Sequence, residues 1–203
     1  MPFFAIVALI VIYDVGVPAV FWQERVGRNG KRIYIHKFRS LRGPVDKSGR
    51  LLTDEERLSR IGRFLRATRL DELPQLFDVL RGDMTLIGPR PLLPVDLPKD
   101  PSVRLQVRPG VTGWAQVRGG KLVSAEEKNA LDEWYICHIS PRLDLRILWL
   151  TLLMPWRGDR RSEKAVARAI RFRKQRLGAK SEPVGETPST KAAIDQPANT
   201  RAA

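Results

Sequence analysis

The segment from Arg69 to Pro91, with the sequence RLDELPQLFDVLRGDMTLIGPRP, constrains the local fold more than any other part of the chain. Its apolar residues recur at the i, i+3, i+4 and i+7 spacing of one helix face: Leu73, Leu76, Phe77 and Leu80. This spacing predicts a helix from Glu72 to Arg81 that ends at Gly82. Proline fits a helix only in its first turn, because it has no N–H to donate and its ring clashes with the preceding turn. Pro74 therefore fixes the helix start and places Asp71 at or next to the N-cap.

Asp71 and Glu72 form an acidic pair in a chain that is strongly basic. An N-cap aspartate followed by a glutamate is common, and on the pair alone this structural interpretation is favoured. The surroundings favour a functional one. A helix N-terminus stabilises an ionised carboxylate, which would make Asp71 a competent nucleophile, and it can also bind phosphate. Arg66 and Arg69 precede the pair and would complete a cationic frame for phosphoryl groups.

The run from Ile87 to Pro91, IGPRP, sets one arginine between two prolines. Each proline restricts its own φ angle and pushes the residue before it towards an extended conformation. Arg90 would therefore lose little conformational freedom when it binds a phosphate through two hydrogen bonds. The alternative is a basic surface loop, but two prolines and a glycine around one arginine favour a functional role.

Asn-Gly at positions 29–30 is the strongest short-range signal for a β-hairpin. It predicts strands near Ala19–Arg25 and Arg32–Phe38, with Lys37 and Arg39 pointing to one face. Solvent-exposed charges on a strand are the default interpretation, so the pattern alone assigns Lys37 and Arg39 no role.

Hydrophobic spacing and turn residues predict the remaining elements. A polar loop at 42–57 runs into a helix over 54–68, and an extended run at 84–94 enters a rigid loop. A turn and a short strand follow within 107–117, and then a helix over 124–139. The strongly apolar run 142–156 predicts a last helix, which ends at Pro155.

The two ends of the chain differ in composition from its centre. Phe3 to Tyr13 is wholly apolar but shorter than the ~20 residues that a membrane-spanning helix needs. A run of this length is typical of a core helix or of an interfacial or re-entrant segment. Residues 157–180 carry ten lysines and arginines against two acids, which predicts a basic helix lying on anionic headgroups. Its sparse apolar stripe consists of Val166, Ala169, Ile170 and Leu177.

The net charge of +14 and the isoelectric point near 10.7 imply an anionic partner. Nucleic acid, an anionic membrane surface and phosphorylated substrates all meet that requirement. The single cysteine, Cys137, excludes an internal disulfide and suits a reducing compartment. With only two histidines, His36 and His138, a structural zinc site is not expected, and neither histidine is assigned a role. A hard cation held by carboxylates and phosphate is compatible with the sequence.

Four runs of the sequence resemble those of a known family. They are FWQERVGRNGKRIYIHKFRSL, RIGRFLRATRLDELPQLFDVLRGDMTLIGPRPLL, RPGVTGWAQV and LDEWY, and they occur in the family's order. From its start to about Met154, the chain closely resembles the bacterial sugar transferases. These are the monotopic phosphoglycosyl transferases that begin glycan assembly on a polyprenyl phosphate carrier.

The resemblance implies a mechanism. In this family the aspartate of an Asp-Glu dyad attacks the β-phosphate of a UDP-sugar, releases UMP and carries the phosphosugar until polyprenyl phosphate accepts it. The resemblance assigns that role to Asp71, with Glu72 as its partner and Mg²⁺ at the two carboxylates. It also implies a substrate and phosphate site formed by Lys37, Arg39, Arg66, Arg90, Arg108 and Gln116.

The chain departs from the family in two places. Family members usually begin with a basic segment and a longer apolar stretch, which a Ser-Pro-like pair breaks into a re-entrant helix. This sequence begins with Met-Pro at about that break. Either it is a fragment or has a misplaced start, or residues 1–16 insert into the membrane more weakly than usual; a truncated re-entrant segment is the expectation for them. After AQV the family often has Asn-Gly-Arg, whereas this chain has Arg-Gly-Gly beginning at Arg118.

Together these features predict an α+β fold, within the broad α/β class, in which helices surround a small antiparallel sheet. The predicted parts are a membrane-associated segment (1–16), a catalytic domain (17–155), a basic amphipathic helix (156–180) and a disordered tail (181–203). The predicted location is the cytoplasmic face of the bacterial inner membrane. There the chain would bind a UDP-sugar, polyprenyl phosphate and anionic lipid, with a homodimer left open.

Two other functions compete with this one. A basic nucleic-acid-binding protein would explain the net charge, but it leaves the acidic pair and the apolar segments unexplained. The basic residues also lack clustered aromatics, so no nucleic-acid partner is expected. The second alternative is a catalytically inactive membrane scaffold. The sequence does not identify the sugar that would be transferred.

Overall fold

The computed structural model describes residues 2–46 and 48–181. Within this part of the chain, helices surround two sheets of two strands each. The helices are α1 (Pro2–Val15), α2 (Asp54–Arg57), α3 (Arg60–Thr68), α4 (Gln75–Leu80), α5 (Trp114–Arg118), α6 (Ala125–Cys137), α7 (Pro141–Arg157) and α8 (Glu163–Ser181). The strands are β1 (Val20–Val26), β2 (Arg32–Phe38), β3 (Thr85–Ile87) and β4 (Gly110–Thr112). The predicted α+β class is confirmed, and all but the first residue of the predicted disordered tail lies outside the described residues.

Strands β1 and β2 form the antiparallel hairpin that the Asn-Gly dipeptide predicts, and Val26 pairs with Arg32 next to the turn. Asn29 and Gly30 both have positive φ angles, of 56° and 75°. Asparagine and glycine tolerate this left-handed conformation better than other residues, which is why they favour such turns.

Strands β3 and β4 form a second sheet, which is parallel and was not predicted. The two segments approach so closely that a Cβ atom on Gly110 would collide with the backbone of Gly88. The short strand expected within 107–117 is therefore Gly110–Thr112, but the residues after it form α5 and do not extend the strand. Four consecutive side chains of α5, Trp114 to Val117, are buried, and a strand with one buried face cannot achieve this.

The helix predicted from Glu72 to Arg81 is divided in two. A 3-10 turn, Leu70–Glu72, precedes the shorter helix α4, and Pro74 occupies the N-cap position of α4. The division has a local cause, because proline cannot donate the N–H that would join the two pieces into one regular α-helix. Asp71 consequently lies inside the 3-10 turn and not at the N-cap.

Helix α1 packs one face on the rest of the protein and leaves the other exposed. Val7 and Val11 are buried in a cluster with Phe38 of β2 and Leu65 of α3. On the opposite face, large apolar side chains are exposed, including Ile6, Leu9 and Tyr13. No helix among the described residues combines the length and the apolar character needed to cross a membrane. The re-entrant arrangement stays a prediction.

Helix α8 packs on the rest of the protein through part of its apolar stripe. Val166 and Ala169 are fully buried in the core cluster that includes α5, α6 and α7. On α6, Glu133 also pairs with Arg173 and Arg176 of α8, at 3.3 and 2.8 Å. Burial in this cluster removes Val166 and Ala169 from any contact with lipid, whereas Leu177 of the same stripe is exposed. That the helix lies on anionic headgroups stays a prediction.

Helix α7 differs from its predicted end. It continues through Pro155 to Arg157, where Gly158 with a φ angle of 66° ends it. A proline near the C-terminal end of a helix removes only one backbone hydrogen bond, so the last turn persists. Residues 158–162 connect α7 to α8, and the basic helix itself begins at Glu163.

Candidate active site

Asp71 and Glu72 lie in the 3-10 turn that precedes α4. The chain changes direction before this turn because Arg69 adopts a left-handed conformation, with a φ angle of 59°. The turn brings Glu72 against β2, where Lys37 Nζ donates a 2.8 Å hydrogen bond to Glu72 Oε1. Arg90 Nη1 lies 3.6 Å from the same oxygen, and Arg69 Nη1 lies 3.8 Å from Oε2. Three cations from separate parts of the chain therefore converge on one carboxylate.

The Glu72 side chain is buried, and its charge depends on these partners. Burial disfavours the carboxylate form. The charges of Lys37, Arg90 and Arg69, together with the hydrogen bond from Lys37, outweigh this effect and hold the pKa of Glu72 below its ordinary value. Glu72 is thus a fixed anion that holds cationic side chains beside Asp71.

The Asp71 carboxylate has a different environment. It is partly buried, and no side chain in the described part of the protein donates a hydrogen bond to it. Burial and the charge of Glu72 raise the pKa of Asp71, and the opposing charges of Lys37 and Arg66 do not fully compensate. This direction is opposite to the expectation that a helix N-terminus would favour the ionised form, because α4 begins only at Gln75 and burial dominates.

An open cleft lies beside Glu72, between the hairpin and the segment that contains Arg90. Its polar walls come from Arg25, Lys37, Arg90 and Gln75, and Glu72 is the one carboxylate among its lining residues. The cleft therefore carries an excess of positive charge, which suits a group with several negative oxygens such as a diphosphate.

Arg25 is a site residue that the sequence interpretation missed. Burial and the nearby charge of Arg90 lower the pKa of Arg25, and its buried Nε has no hydrogen-bond partner in the described structure. In the observed register Arg25 pairs with Ile33, and Lys37 lies four positions further along β2. Paired residues share a face in an antiparallel ladder, so Arg25 and Lys37 lie on one face of the hairpin. The sequence interpretation gave the two strands without a register and therefore could not place Arg25 beside Lys37.

Of the other predicted site residues, Arg66 lies close to the dyad. Its Nε donates a 2.9 Å hydrogen bond to Ser40 Oγ, which directs the side chain, and its charge acts on Asp71. Gln116 stands behind the cleft wall, where its Nε2 donates to the carbonyl of Val111 at 3.1 Å and its Oε1 is buried without a partner.

Two predicted residues are not brought to the dyad. Arg39 Nη1 donates to the carbonyls of Val17 and Pro18, at 3.1 and 3.3 Å, and so binds the segment that follows α1. The Arg108 guanidinium lies beside Gly82, at the far end of α4, and is not among the lining residues of the cleft.

The carboxylates of the dyad fit Mg²⁺ only together with a substrate. Among the described residues, no three His, Cys, Asp or Glu side chains are grouped as a metal site. However, Mg²⁺ commonly takes only one or two protein carboxylates, and substrate phosphates and water complete its octahedron. Glu72 Oε2 is buried without a hydrogen-bond partner. No side chain in the described part of the protein donates to the Asp71 carboxylate, which accepts a hydrogen bond from its own backbone N–H. The two carboxylates therefore fit a cation shared with a diphosphate, and they do not fit one held by the protein alone.

A hydrogen-bonded pair of side chains lies behind the cleft and contains a histidine to which the sequence assigned no role. His36 Nδ1 lies 2.7 Å from Asp78 Oδ1, and the His36 backbone N–H donates to Asp78 Oδ2 at 2.9 Å. Asp78 is fully buried on α4 and also accepts a 3.2 Å hydrogen bond from Arg81. This contact locks α4 to β2 at the residue next to Lys37.

Comparison with known proteins places this site in a family. Residues 1–158 match the family described as bacterial sugar transferase. The chain belongs to the bacterial sugar transferase family. The resemblance inferred from the sequence is thereby confirmed, and an enzyme is favoured over the nucleic-acid-binding alternative.

Individual members of the family show how far the similarity extends. The uncharacterized sugar transferase EpsL of Bacillus subtilis is 46% identical over 146 residues, which are 70% of this chain and 72% of that protein. The undecaprenyl-phosphate glucose phosphotransferase of Komagataeibacter xylinus is 38% identical over 74% of this chain. The undecaprenyl-phosphate galactose phosphotransferase of Salmonella typhimurium is 37% identical over 71% of it. The matched regions are 32% and 34% of those two sugar transferases, so this chain corresponds to about a third of each.

Proposed function

We propose that this bacterial sugar transferase moves a sugar 1-phosphate from a UDP-sugar to a polyprenyl phosphate, through a phosphosugar bound covalently to Asp71. One observation carries the proposal. Asp71 has no hydrogen-bond donor among the described side chains and lies next to a glutamate held by Lys37, Arg90 and Arg69, beside a cationic cleft. A carboxylate free to react and a site for a diphosphate are thus adjacent, and relatives named as undecaprenyl-phosphate phosphotransferases support the same chemistry.

The reaction has two halves. In the first, an Asp71 carboxylate oxygen forms a bond to the β-phosphorus, and the bond from that phosphorus to the bridging oxygen breaks, so that UMP leaves with the electron pair. In the second, an oxygen of the polyprenyl phosphate attacks the same phosphorus and the bond to Asp71 breaks. Lys37 and Arg90 face the transferred phosphoryl group, where fixed cations stabilise the charge of the transition state. Mg²⁺ at Asp71 and Glu72 would neutralise diphosphate charge and favour the ionised form of Asp71.

The same proposal places the protein on the cytoplasmic face of the bacterial inner membrane, as a monotopic protein. The exposed apolar face of α1 supports this location, and so do exposed side chains of α7 such as Leu145, Trp149 and Trp156. Tryptophan is enriched where a protein meets the membrane interface. A polyprenyl phosphate lies in such a membrane, so the acceptor and the cleft would be brought together.

The decisive experiment separates the two halves. Wild-type protein is incubated with Mg²⁺ and a panel of labelled UDP-sugars in the absence of lipid acceptor, and the protein is analysed by mass spectrometry. We expect one phosphosugar adduct on Asp71 and release of UMP with the correct sugar. Asp71→Asn keeps the side-chain shape but removes the nucleophile, so it should yield neither, whereas Asp83→Asn serves as a control. Near-wild-type turnover by Asp71→Asn would contradict the proposal.

A further inference from the structure

The loop that carries Arg90 is held by its carbonyl groups. Pro89 and Pro91 have no backbone N–H, so Arg90 supplies the one backbone donor of these three residues, and carbonyl acceptors become important for holding the loop. The Pro89 carbonyl accepts a 2.9 Å hydrogen bond from the N–H of Gly110, and the Arg90 carbonyl accepts a 2.7 Å hydrogen bond from Arg104 Nη2. Arg104 thus supplies one of the contacts that fix this peptide.

Arg104 is itself held rigidly. It is 9% exposed, and its Nη1 donates to Asp132 Oδ2 at 2.7 Å and to Asn129 Oδ1 at 3.2 Å, both on α6. Asp132 is 2% exposed and belongs to the LDEWY run, to which the proposed function assigns no role. A buried ion pair of this kind therefore connects α6 to the backbone of Arg90.

We infer that Arg104, held by Asp132, is a positioning residue that orients Arg90 for substrate phosphate. The inference rests on the proposed function, in which the Arg90 side chain faces the transferred phosphoryl group. The direction of the Arg90 carbonyl is set by the ψ angle of Arg90, and Pro91 limits that angle further. A hydrogen bond that fixes this carbonyl therefore fixes the backbone from which the Arg90 side chain extends. Arg104 reaches neither Glu72 nor the cleft, so its effect passes through Arg90 alone.

A role in folding alone would give a different result, and a double-mutant cycle separates the two. Affinity for UDP is measured by calorimetry, and thermal unfolding in parallel, for wild type, Arg104→Lys, Arg90→Ala and the double variant. Lysine keeps a charge for Asp132 but lacks the fork that also reaches the Arg90 carbonyl. Arg104→Lys alone should weaken UDP binding about tenfold, and in the Arg90→Ala background it should change binding by less than about twofold.

The matched control is Arg176→Lys. Arg176 makes a comparable 2.8 Å ion pair with the next residue of α6, Glu133, but it lies on α8. Arg176→Lys should lower thermal stability without changing the affinity for UDP. If Arg104→Lys does not fold, the double substitution Arg104→Gln with Asp132→Asn takes its place in the same cycle. This pair is neutral and leaves no unpaired buried charge.

The double-mutant cycle can contradict the inference in two ways. Equal losses of affinity in the presence and absence of Arg90 would overturn the inference and leave the proposed function intact. An unchanged affinity in Arg104→Lys, with a loss in Arg90→Ala, would overturn it as well. Wild-type affinity in Arg90→Ala, or no binding of UDP to the wild type, would instead contradict the proposed function, and the inference would fall with it.

Discussion

Two adjacent carboxylates have opposite electrostatic environments, and this difference supports the separate roles proposed for them. Glu72 is surrounded by cations and has a lowered pKa, whereas Asp71 is partly buried, has no side-chain donor among the described residues and has a raised pKa. A carboxylate that already accepts strong hydrogen bonds is a weak nucleophile, because its electron pairs are engaged. Asp71 is therefore the better candidate for attack, and Glu72 organises the charges around it.

Arg25 is expected to bind substrate, although it was not found from the sequence. Arg25→Met should raise KM for the UDP-sugar about tenfold with a smaller change in kcat, because it removes one charged contact to the diphosphate. Steady-state kinetics of UMP release would measure this. Arg28→Met, on the exposed hairpin turn, is the control, and equal kinetics for the two variants would rule out a role for Arg25.

Removal of divalent cations should abolish the first half-reaction. Without a cation, a carboxylate that approaches a diphosphate meets strong repulsion, and the raised pKa of Asp71 leaves more of it protonated. We expect no phosphosugar adduct in EDTA and full recovery when Mg²⁺ is restored, measured by mass spectrometry. Undiminished adduct formation in EDTA would show that the arginines and Lys37 alone neutralise the substrate.

The residues of the site differ in how far local sequence could reveal them. Asp71, Glu72 and Arg90 stand in short patterns with proline constraints, and these constraints act within a few residues. Arg25 and Arg104 depend on which segments meet in space. No local spacing shows that Arg104 reaches the carbonyl of a residue 14 positions earlier.

At the scale of elements, the contact between β2 and α4 holds Lys37 beside the dyad. Asp78→Asn should lower the free energy of unfolding by about 1–3 kcal/mol, because the isosteric amide cannot satisfy the donors that Asp78 accepts from His36 and Arg81. Urea denaturation would measure the change. The control Asp83→Asn loses only the charge of a long 3.8 Å contact with Arg81, so it should change the free energy of unfolding by less than about 0.5 kcal/mol.

Elements with strong local signals were predicted best. The hairpin has its Asn-Gly turn, and α6 has a capping box between Ser124 and Glu127. The parallel pairing of β3 with β4 carries no such signal, because each strand has three residues and the partners are 25 positions apart (from Thr85 to Gly110). The helical spacing of residues also could not predict how α8 is oriented, because a basic helix with an apolar stripe can pack on lipid or on protein.

For the whole molecule, the net charge of +14 has a spatial distribution that suits an anionic surface. On α8, Arg173 and Arg176 are already paired with Glu133. Four other basic residues of this helix are exposed and have no ion-pair partner among the described residues: Lys164, Arg168, Arg171 and Lys174. These four, and not the apolar stripe, are the candidates for contact with headgroups.

Changing all four residues to glutamine should weaken binding to anionic vesicles and leave the core intact. Each basic residue near such a surface contributes about 1 kcal/mol, so the loss should be large at low salt and smaller at physiological salt. Vesicle sedimentation measures the binding, zwitterionic vesicles are the control for apolar insertion, and circular dichroism verifies folding. Undiminished binding of the variant to anionic vesicles at both salt concentrations would exclude α8 as the contact.

The aromatic contacts of α1 have a consequence for how a lipid-linked acceptor could be selected. The Phe4 ring lies 4.9 Å from that of Phe38, next to Lys37 on β2, and 5.4 Å from that of Phe77 on α4. The helix that would rest in the bilayer is thus in direct contact with both elements that frame the dyad. In a membrane-bound protein, the depth of α1 would set the height of Asp71 above the lipid. Bilayer thickness and the reach of the acceptor's phosphate then become part of the enzyme's specificity.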